Sequence, residues 1–325
     1  MSSRPFSPPW WARSPHIQTI LPVLTKVPRP ALRRERLELD DGDFIDLDWC
    51  GTAQNGDAIV VLIHGLEGNS DSHYARRLLQ RCQHHGLTAT VHHHRSCSGE
   101  PNRLARSYHS GDTADVAMTL NTLRSRFPDS PLYACGYSLG GNVLTKYLGE
   151  QGQRSLLSKA VVVSAPLRLD ACAQRLQSGF SRVYQSYLIR QLQAKTLAKI
   201  NHPRLSRQMP ITADIVGRLT SFHQFDNAVT APLHGFSDVE DYYRRASGMP
   251  FLGNITTPTL IIHACDDPFM TDAVIPSPEV LSDAITYELH PRGGHVGFIN
   301  GGLPWHPRYY LEPRILSFLT GDSPC

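Results

Sequence analysis

The fold class of this chain is decided by residues 132–144, which read LYACGYSLGGNVL. The first four residues form a short apolar run typical of a buried strand, and the residues after Gly140 predict a helix. Between them lies a Gly-x-Ser-x-Gly motif centred on Ser138. A serine on a sharp strand-to-helix turn needs small flanking residues, because the strained backbone leaves little room for side chains. The stretch therefore predicts an exposed nucleophile at the carboxyl end of a strand.

Short apolar runs of the same kind recur on both sides of this motif. They lie at 58–63, 88–92, 160–163, 259–263 and 285–289. Helical periodicity fills most of the intervals, and one helix is predicted to start at Asp112 or Thr113, with Val116, Leu120, Leu123 and Phe127 on one face. Residues 36–49 alternate apolar and polar around Asp41-Gly42, which predicts a hairpin. Alternating strands and helices predict the α/β class, with a mostly parallel twisted sheet and helices on both faces.

The alternation is interrupted between about Pro166 and Asn254, where a helical pattern runs from Gln174 to Lys199 and no strand is predicted. A length of 325 residues fits one large domain or two average ones. We predict a single domain over 1–325. It comprises an irregular, proline-rich N-terminal arm at about 1–32 and a helical cap inserted at about 166–254, over the carboxyl edge of the sheet.

The composition excludes several classes of protein. Hydrophobic residues make up 41% and charged residues 19%, which excludes disorder over the whole chain, and a net charge of +3 argues against a nucleic-acid partner. The seven cysteines form no C-x-x-C pair and indicate a reducing compartment. Pro and Arg interrupt the N-terminal apolar residues, so we expect no signal peptide, no transmembrane segment and a cytoplasmic location. The sequence predicts no particular oligomeric state.

A serine nucleophile needs a base, and the base needs an acid to orient it. In folds of this type the order along the chain is serine, acid, histidine. The strand at 259–263 leads to Asp266 and Asp267, and the strand at 285–289 leads to Gly293-Gly294-His295. We predict Asp267 as the acid, because the turn that follows it would hold its carboxylate, with Asp266 as the alternative. His295 is the predicted base.

Negative charge that develops on the substrate oxygen needs two backbone donors near the serine. We assign these to the N–H groups of Leu139, directly after the nucleophile, and of Leu66, in the loop His64-Gly65-Leu66-Glu67-Gly68. Such a donor cannot be removed by a point substitution other than proline.

Two other clusters carry weaker signals. His92, His93 and His94, with Cys82, His84 and His85 nearby, suggest zinc, but only His92 and His94 share a strand face, so we predict a polar strand end and no metal. The run Tyr242-Tyr243-Arg244-Arg245 is interpreted as a solvated helix face.

The motifs together resemble the YheT-like branch of the α/β-hydrolase fold, over about residues 10–320. They are PHIQT (15–19), HGLEGNS (64–70), CSGEPNR (97–103), YHSG (108–111), SAP (164–166), FD (225–226), GF (235–236), DYY (241–243), DDPF (266–269) and GGH (293–295). One departure is HHRSC at 93–97, where relatives tend to have an aromatic residue and then Arg-Gly-Cys.

The resemblance implies a cytosolic bacterial serine hydrolase of the carboxylesterase type, with Ser138 as nucleophile, the Asp266-Asp267 pair as acid and His295 as base. The resemblance also extends to animal proteins that act on phospholipids and carry an N-terminal membrane segment, which we do not expect in this chain.

We therefore predict an esterase that needs no cofactor and cleaves an uncharged short- or medium-chain acyl ester. Apolar cap residues are expected to line the acyl pocket, namely Leu167, Leu169, Phe180, Tyr184, Tyr187 and Leu188. The alternatives are a thioesterase, a lipase or phospholipase of the same fold, and a non-catalytic binding protein.

Overall fold

A computed structural model describes residues 6–321, and its centre is an eight-stranded sheet. The strands are β1 (Arg33–Glu38), β2 (Phe44–Cys50), β3 (Ile59–Ile63), β4 (Thr88–His92), β5 (Leu132–Tyr137), β6 (Lys159–Val163), β7 (Thr259–Ala264) and β8 (Ile285–His290). Their order is β1-β2-β4-β3-β5-β6-β7-β8. The pairs from β4 to β8 are parallel, and β2 joins antiparallel to both β1 and β4. The predicted hairpin, strands and mostly parallel sheet are confirmed.

Both faces of the sheet are covered, which explains the continuous apolar runs of its central strands. In β3 all five residues are buried, with Ile59, Val61 and Ile63 on one face and Val60 and Leu62 on the other. Helices α3 (Ala114–Arg126) and α4 (Leu139–Gln151) pack on the first face, whereas α2 (His73–His84) and α11 (Leu311–Thr320) pack on the second.

Helix α3 follows Thr113, as predicted, and buries Val116, Leu120 and Leu123, with Phe127 packed against the same core. The predicted helical pattern from Gln174 to Lys199 is confirmed except at residues 177–180. The chain forms α5 (Leu169–Leu176) and α6 (Ser181–Ile200), separated by Gly179 with a φ of 55°. A positive φ interrupts a right-handed helix, and glycine adopts it without steric cost.

The segment 166–254, called the cap segment below, contributes no strand to either described sheet. Besides α5 and α6 it contains α7 (Ala213–Val216), α8 (Phe222–Phe225), a π-turn (Asp226–Thr230), α9 (Ala231–Leu233), α10 (Val239–Ala246) and a 3₁₀ turn (Met249–Asn254). Its division from the remaining chain stays a prediction.

Two elements were not predicted. The arm contains a helix, α1 (Pro15–Leu24), whose internal Pro22 argues against a helix in the sequence, although Pro15 suits the first turn. A second, two-stranded sheet pairs β9 (Ile299–Leu303) with β10 (His306–Tyr309).

No helix within residues 6–321 is long and apolar enough to cross a bilayer. Six of the cysteines are free thiols, and the seventh, Cys325, lies outside the described residues.

Candidate active site

Ser138 lies at the turn between β5 and α4, with a φ of 52° and a ψ of −121°. This conformation is strained for a residue with a side chain, and the flanking glycines explain how it is accommodated. A Cβ on Gly140 would lie 2.3 Å from the carbonyl oxygen of Ile63, and one on Gly136 would lie 2.5 Å from that of Gly140. Both glycines of the motif are therefore required by close backbone packing.

His295 and Asp267 lie beside this serine, at the carboxyl edge of the same sheet. The Nε2 atom of His295 is 2.9 Å from Ser138 Oγ, and its Nδ1 atom is 2.8 Å from Asp267 Oδ2. Since a carboxylate accepts, Nδ1 carries the proton and Nε2 is left to accept one from the serine hydroxyl. Asp267 is 3% exposed, so little water competes for its carboxylate.

Asp266 has a different set of partners. Its Oδ1 accepts a hydrogen bond from the Gly294 N–H at 2.9 Å, which supports the loop in front of His295. Burial raises the pKa of Asp266 above its ordinary value. The structure thus brings Asp267, not the alternative Asp266, to the imidazole.

His295 has two further contacts, one with the N-terminal arm and one with Phe269. Thr19 of α1 accepts a hydrogen bond from the His295 N–H at 3.0 Å. The Phe269 ring stacks on the imidazole, with ring centroids 4.0 Å apart and planes 16° apart. Sequence reasoning did not assign these roles. Both residues belong to motifs of the family resemblance, which was the available signal.

The two predicted oxyanion donors both border Ser138. Leu139 is the first residue of α4, so its N–H has no intrahelical acceptor, and Leu66 lines the same cavity. The Leu66 loop is held by two tyrosines: the Gly65 N–H donates to Tyr74 Oη, and the Glu67 N–H donates to Tyr108 Oη, each at 2.9 Å.

A cavity opens onto Ser138. Its walls are mostly apolar and come from both the cap segment and the loop after β7. The lining includes Leu169, Cys172, Ala173, Leu176, Leu188, Phe222, Tyr242, Tyr243, Phe269 and Met270.

The predicted pocket residues are thus only partly correct. Leu169 and Leu188 line the cavity, but Leu167 is fully buried in the core below it. Phe180 and Tyr187 are exposed on the outer surface of the cap segment, while Tyr184 stacks on Phe269 outside the lining. The error arises because the solvent-facing side of α6 is itself apolar: Val183 and Tyr187, four residues apart, are exposed there, whereas Leu188, one position further, faces the cavity.

Residues 242–245 were predicted to form a solvated helix face, and this prediction is wrong for Tyr242 and Tyr243. Tyr242 and Tyr243 are buried and line the cavity, whereas Arg244 and Arg245 are exposed and pair with Asp241. Tyr243 donates a hydrogen bond to Asp226 Oδ2 at 2.9 Å. Burial raises the pKa of Asp226 to about 6.

A second cavity adjoins the first and shares six lining residues with it, namely Leu66, Ser110, Leu139, Phe222, Asp226 and Tyr242. Its additional lining is more polar than that of the first cavity, although Leu192, Phe225 and other apolar residues also contribute. The polar residues include Glu67, Ser107, His109, Lys195, Thr196, Lys199, Thr230 and His234. The space around Ser138 therefore has an apolar side and a polar side.

The histidine cluster at the end of β4 is buried. His94 donates its N–H to His64 Nε2 at 3.1 Å, and His64 Nδ1 is 2.8 Å from the Gly65 carbonyl oxygen. Desolvation lowers the pKa of His92 and of His94 to about 3. No group of His, Cys, Asp or Glu with metal-binding geometry occurs between residues 6 and 321.

The family departure at 93–97 does not alter the described cavity walls. His94 stacks on Tyr108, with ring planes 9° apart, and lies outside the lining. Ser96, where relatives tend to have glycine, has a φ of 65°. Its hydroxyl accepts a hydrogen bond from the Asn102 N–H at 3.0 Å.

Comparison with known proteins places these features in a family. A sequence model of the alpha/beta hydrolase fold matches residues 58–302. The chain is 45% identical to the Escherichia coli (strain K12) protein named "Putative esterase YheT", over 98% of this chain and 94% of that protein. It is 27% identical to the Homo sapiens protein named "Phospholipase ABHD3", over 94% of this chain and 76% of that one.

Among solved structures, the Pyrococcus furiosus esterase Pf2001 superposes with a TM-score of 0.56 at 14% identity, over 98% of this chain and 99% of that one. At this identity the likeness shows the fold alone. The sheet, the match over most of the chain and the similarity to YheT lead to one conclusion: the chain belongs to the α/β-hydrolase family, in its YheT-like branch, and is an ester hydrolase of that fold.

Proposed function

We propose that the chain is a serine carboxylesterase in which Ser138, His295 and Asp267 act as a catalytic triad. The observation that carries the proposal is the continuous series of contacts from Asp267 Oδ2 through the imidazole to Ser138 Oγ, at 2.8 and 2.9 Å. These are hydrogen-bonding distances suited to proton transfer. The strained backbone of Ser138 supports the same assignment.

The reaction proceeds in two steps. Ser138 Oγ attacks the ester carbonyl while His295 Nε2 takes the hydroxyl proton, and the Leu66 and Leu139 N–H groups donate to the oxyanion. His295 then protonates the leaving alcohol, which leaves an acyl-enzyme. Water, deprotonated by His295, then attacks the acyl-enzyme, and His295 returns the proton to Ser138 Oγ as the bond to the acyl group breaks and the acid leaves. Throughout, Asp267 orients the imidazole and stabilises its charged form.

The proposed substrate is an uncharged ester with a short or medium acyl chain. The apolar side of the cavity, with Leu169, Leu176 and Leu188, supports an acyl site. The two lysines on the polar side already have partners, since Lys195 pairs with Glu67 and Lys199 Nζ has four oxygen atoms within 3.1 Å. Neither is placed to neutralise a substrate anion, which favours an uncharged alcohol moiety over a phosphate ester.

We also propose that residues 1–325 form one domain, with the arm at about 1–32 and the cap at about 166–254. In support, the arm contacts His295 through Thr19, and the cap segment supplies Leu169 and Leu188 to the cavity at Ser138.

A fluorophosphonate probe tests the nucleophile. We expect it to label the wild-type protein and to spare Ser138→Ala, with Ser164→Ala as the matched control that keeps labelling. Equal labelling of wild type and Ser138→Ala would overturn the assignment.

Substrate class is tested by measuring the turnover of p-nitrophenyl esters of increasing acyl length. The turnover of acyl-CoA thioesters and of a phospholipid is measured for comparison. Each added CH₂ that is buried contributes ~0.8 kcal/mol, about a fourfold gain in kcat/KM, so activity should rise with length and then fall when the cavity is full. Preferred turnover of acyl-CoA would indicate a thioesterase, and preferred turnover of the phospholipid would indicate a phospholipase. No turnover of any substrate would favour a binding protein.

A further inference from the structure

Helix α1 of the N-terminal arm has an exposed apolar face. Gln18, Thr19 and Pro22 are buried on its inner side. The outer side presents Ile17, Ile20, Val23 and Leu24, of which Val23 is 61% and Leu24 is 71% exposed. Four neighbouring apolar side chains in water are costly unless a partner covers them.

The beginning of α6 continues this face. Phe180 is 50%, Val183 55% and Tyr187 66% exposed. His16 of α1 joins the two helices, because its Nδ1 atom is 2.9 Å from Tyr184 Oη and its ring centroid is 4.4 Å from that of Phe180. We call the seven residues Ile17, Ile20, Val23, Leu24, Phe180, Val183 and Tyr187 the docking face.

The two segments of the chain that carry the docking face contain basic residues but no acidic ones. Residues 1–34 contain six Lys and Arg, residues 171–213 contain seven, and neither segment contains an Asp or Glu. The rest of the chain carries 19 basic against 29 acidic residues, so the positive charge is concentrated in these two segments. Arg182 and Arg190 are exposed on α6 and form no ion pair with any residue between 6 and 321.

The docking face also lies beside the candidate active site. Tyr184 stacks on Phe269 at 5.0 Å, and Phe269 stacks on His295. Leu188, directly after Tyr187 in α6, lines the cavity at Ser138. A large flat partner on this face would therefore lie close to the cavity.

We propose that the docking face binds the surface of an anionic lipid bilayer. Exposed apolar and aromatic side chains would enter the boundary between headgroups and acyl chains, while the flanking Lys and Arg approach the negative headgroups. A protein partner or a second copy of the chain is less favoured, because the two segments expose seven basic residues that form no ion pair within residues 6–321, and these match a uniformly negative surface. They are Arg13, Lys26, Arg33, Arg182, Arg190, Arg204 and Arg207. The proposal goes beyond the esterase activity and does not depend on it.

Vesicle sedimentation tests this proposal with the full-length chain. Wild type should bind vesicles of equal parts phosphatidylcholine and phosphatidylglycerol, bind phosphatidylcholine alone more weakly, and dissociate as salt is raised. Since each basic residue near such a surface contributes about fivefold to partitioning, Arg182→Glu should weaken binding at least about fivefold. Leu24→Asp should weaken it by about tenfold or more, because it removes apolar contact and adds a negative charge.

The matched controls are Arg154→Glu and Val280→Asp, at exposed positions outside the docking face, and both should bind like wild type. Turnover of a soluble ester without vesicles should be unchanged in Leu24→Asp and Arg182→Glu, which separates this test from that of the proposed function.

Three outcomes would overturn the proposal: no binding to either vesicle, binding that ignores the phosphatidylglycerol, or equal loss in the control variants. Self-association that Leu24→Asp abolishes, in the absence of lipid binding, would instead show that the face joins two copies of the chain.

Discussion

At the scale of single residues, the two adjacent carboxylates Asp266 and Asp267 show how one position along a loop separates two roles. Asp267 Oδ2 faces the His295 imidazole, whereas Asp266 Oδ1 faces the Gly294 backbone N–H. Successive side chains leave the loop in different directions, so only one of the pair can reach the ring.

Substitution of each carboxylate by its amide should separate these roles. Asp267→Asn should lower kcat by about three to four orders of magnitude, because an amide no longer holds the imidazole in the required tautomer. Asp266→Asn keeps an oxygen acceptor for Gly294 and should lower kcat by less than about tenfold. The measurement is steady-state ester hydrolysis, with circular dichroism as the folding control. The reverse ranking would contradict the assignment of Asp267.

At the scale of elements, α6 connects the cap segment to the loop that precedes α3. Lys199 lies at the carboxyl end of α6, where its Nζ atom is within 3.1 Å of the carbonyl oxygens of Leu104, Ala105 and Arg106 and of Ser107 Oγ. Asn102 Nδ2 also donates to the carbonyl oxygens of Leu104 and Arg106, so the Ala105 carbonyl is the one that depends on the Lys199 ammonium group among the described contacts.

Lys199→Met should therefore destabilise the fold by about 1–3 kcal/mol, since it removes the described donor of the buried Ala105 carbonyl. Lys26→Met is the matched control, because Lys26 is exposed and forms no ion pair with residues 6–321, so its substitution should cost less than about 0.5 kcal/mol. Urea unfolding of both variants provides the measurement. A similar small loss in both would show that water replaces the Lys199 contacts.

At the scale of the whole molecule, the histidines matter more for stability than for metal binding. His64, His92, His94 and His263 are all buried. Desolvation lowers the pKa of His92 and His94 to about 3, that of His263 to about 4, and that of His64 well below its ordinary value. Each is neutral in the folded chain and takes up a proton on unfolding in mild acid.

The sign of the pH dependence follows from these depressed values. Below the ordinary histidine pKa, the unfolded chain binds more protons than the folded one. The stabilising contribution is therefore fully present above the ordinary pKa, and it is lost as the pH falls towards the lowered pKa values of the folded chain. We expect the free energy of unfolding to drop by at least 2 kcal/mol between about pH 7 and pH 5.

Urea unfolding across this pH range measures the effect. His94→Phe should lower the number of protons taken up on unfolding, which the slope of the free energy of unfolding against pH reports, by up to one. A stability that is constant or rises on acidification would contradict the burial of these neutral rings.

Features that depend on neighbouring residues could be predicted from the sequence, whereas features that depend on distant contacts could not. Local patterns were sufficient for the strands, for the turn at Ser138 and for the order of Ser138, Asp267 and His295, because apolar runs and turn glycines report on neighbouring residues. The helix break at Gly179 and helix α1 were missed, since one glycine and one internal proline are ambiguous without their surroundings.

The cavity was decided only by tertiary structure. Whether Tyr187 or Tyr242 faces the serine depends on how α6 and α10 are turned against the core, and both helices have apolar residues on more than one side. The support of His295 by Thr19 joins residues 276 positions apart. The sequence by itself determined the fold class and pointed to the residues that we propose to react. Long-range packing decided which side chains surround them, because helix rotation follows from the sum of many distant contacts.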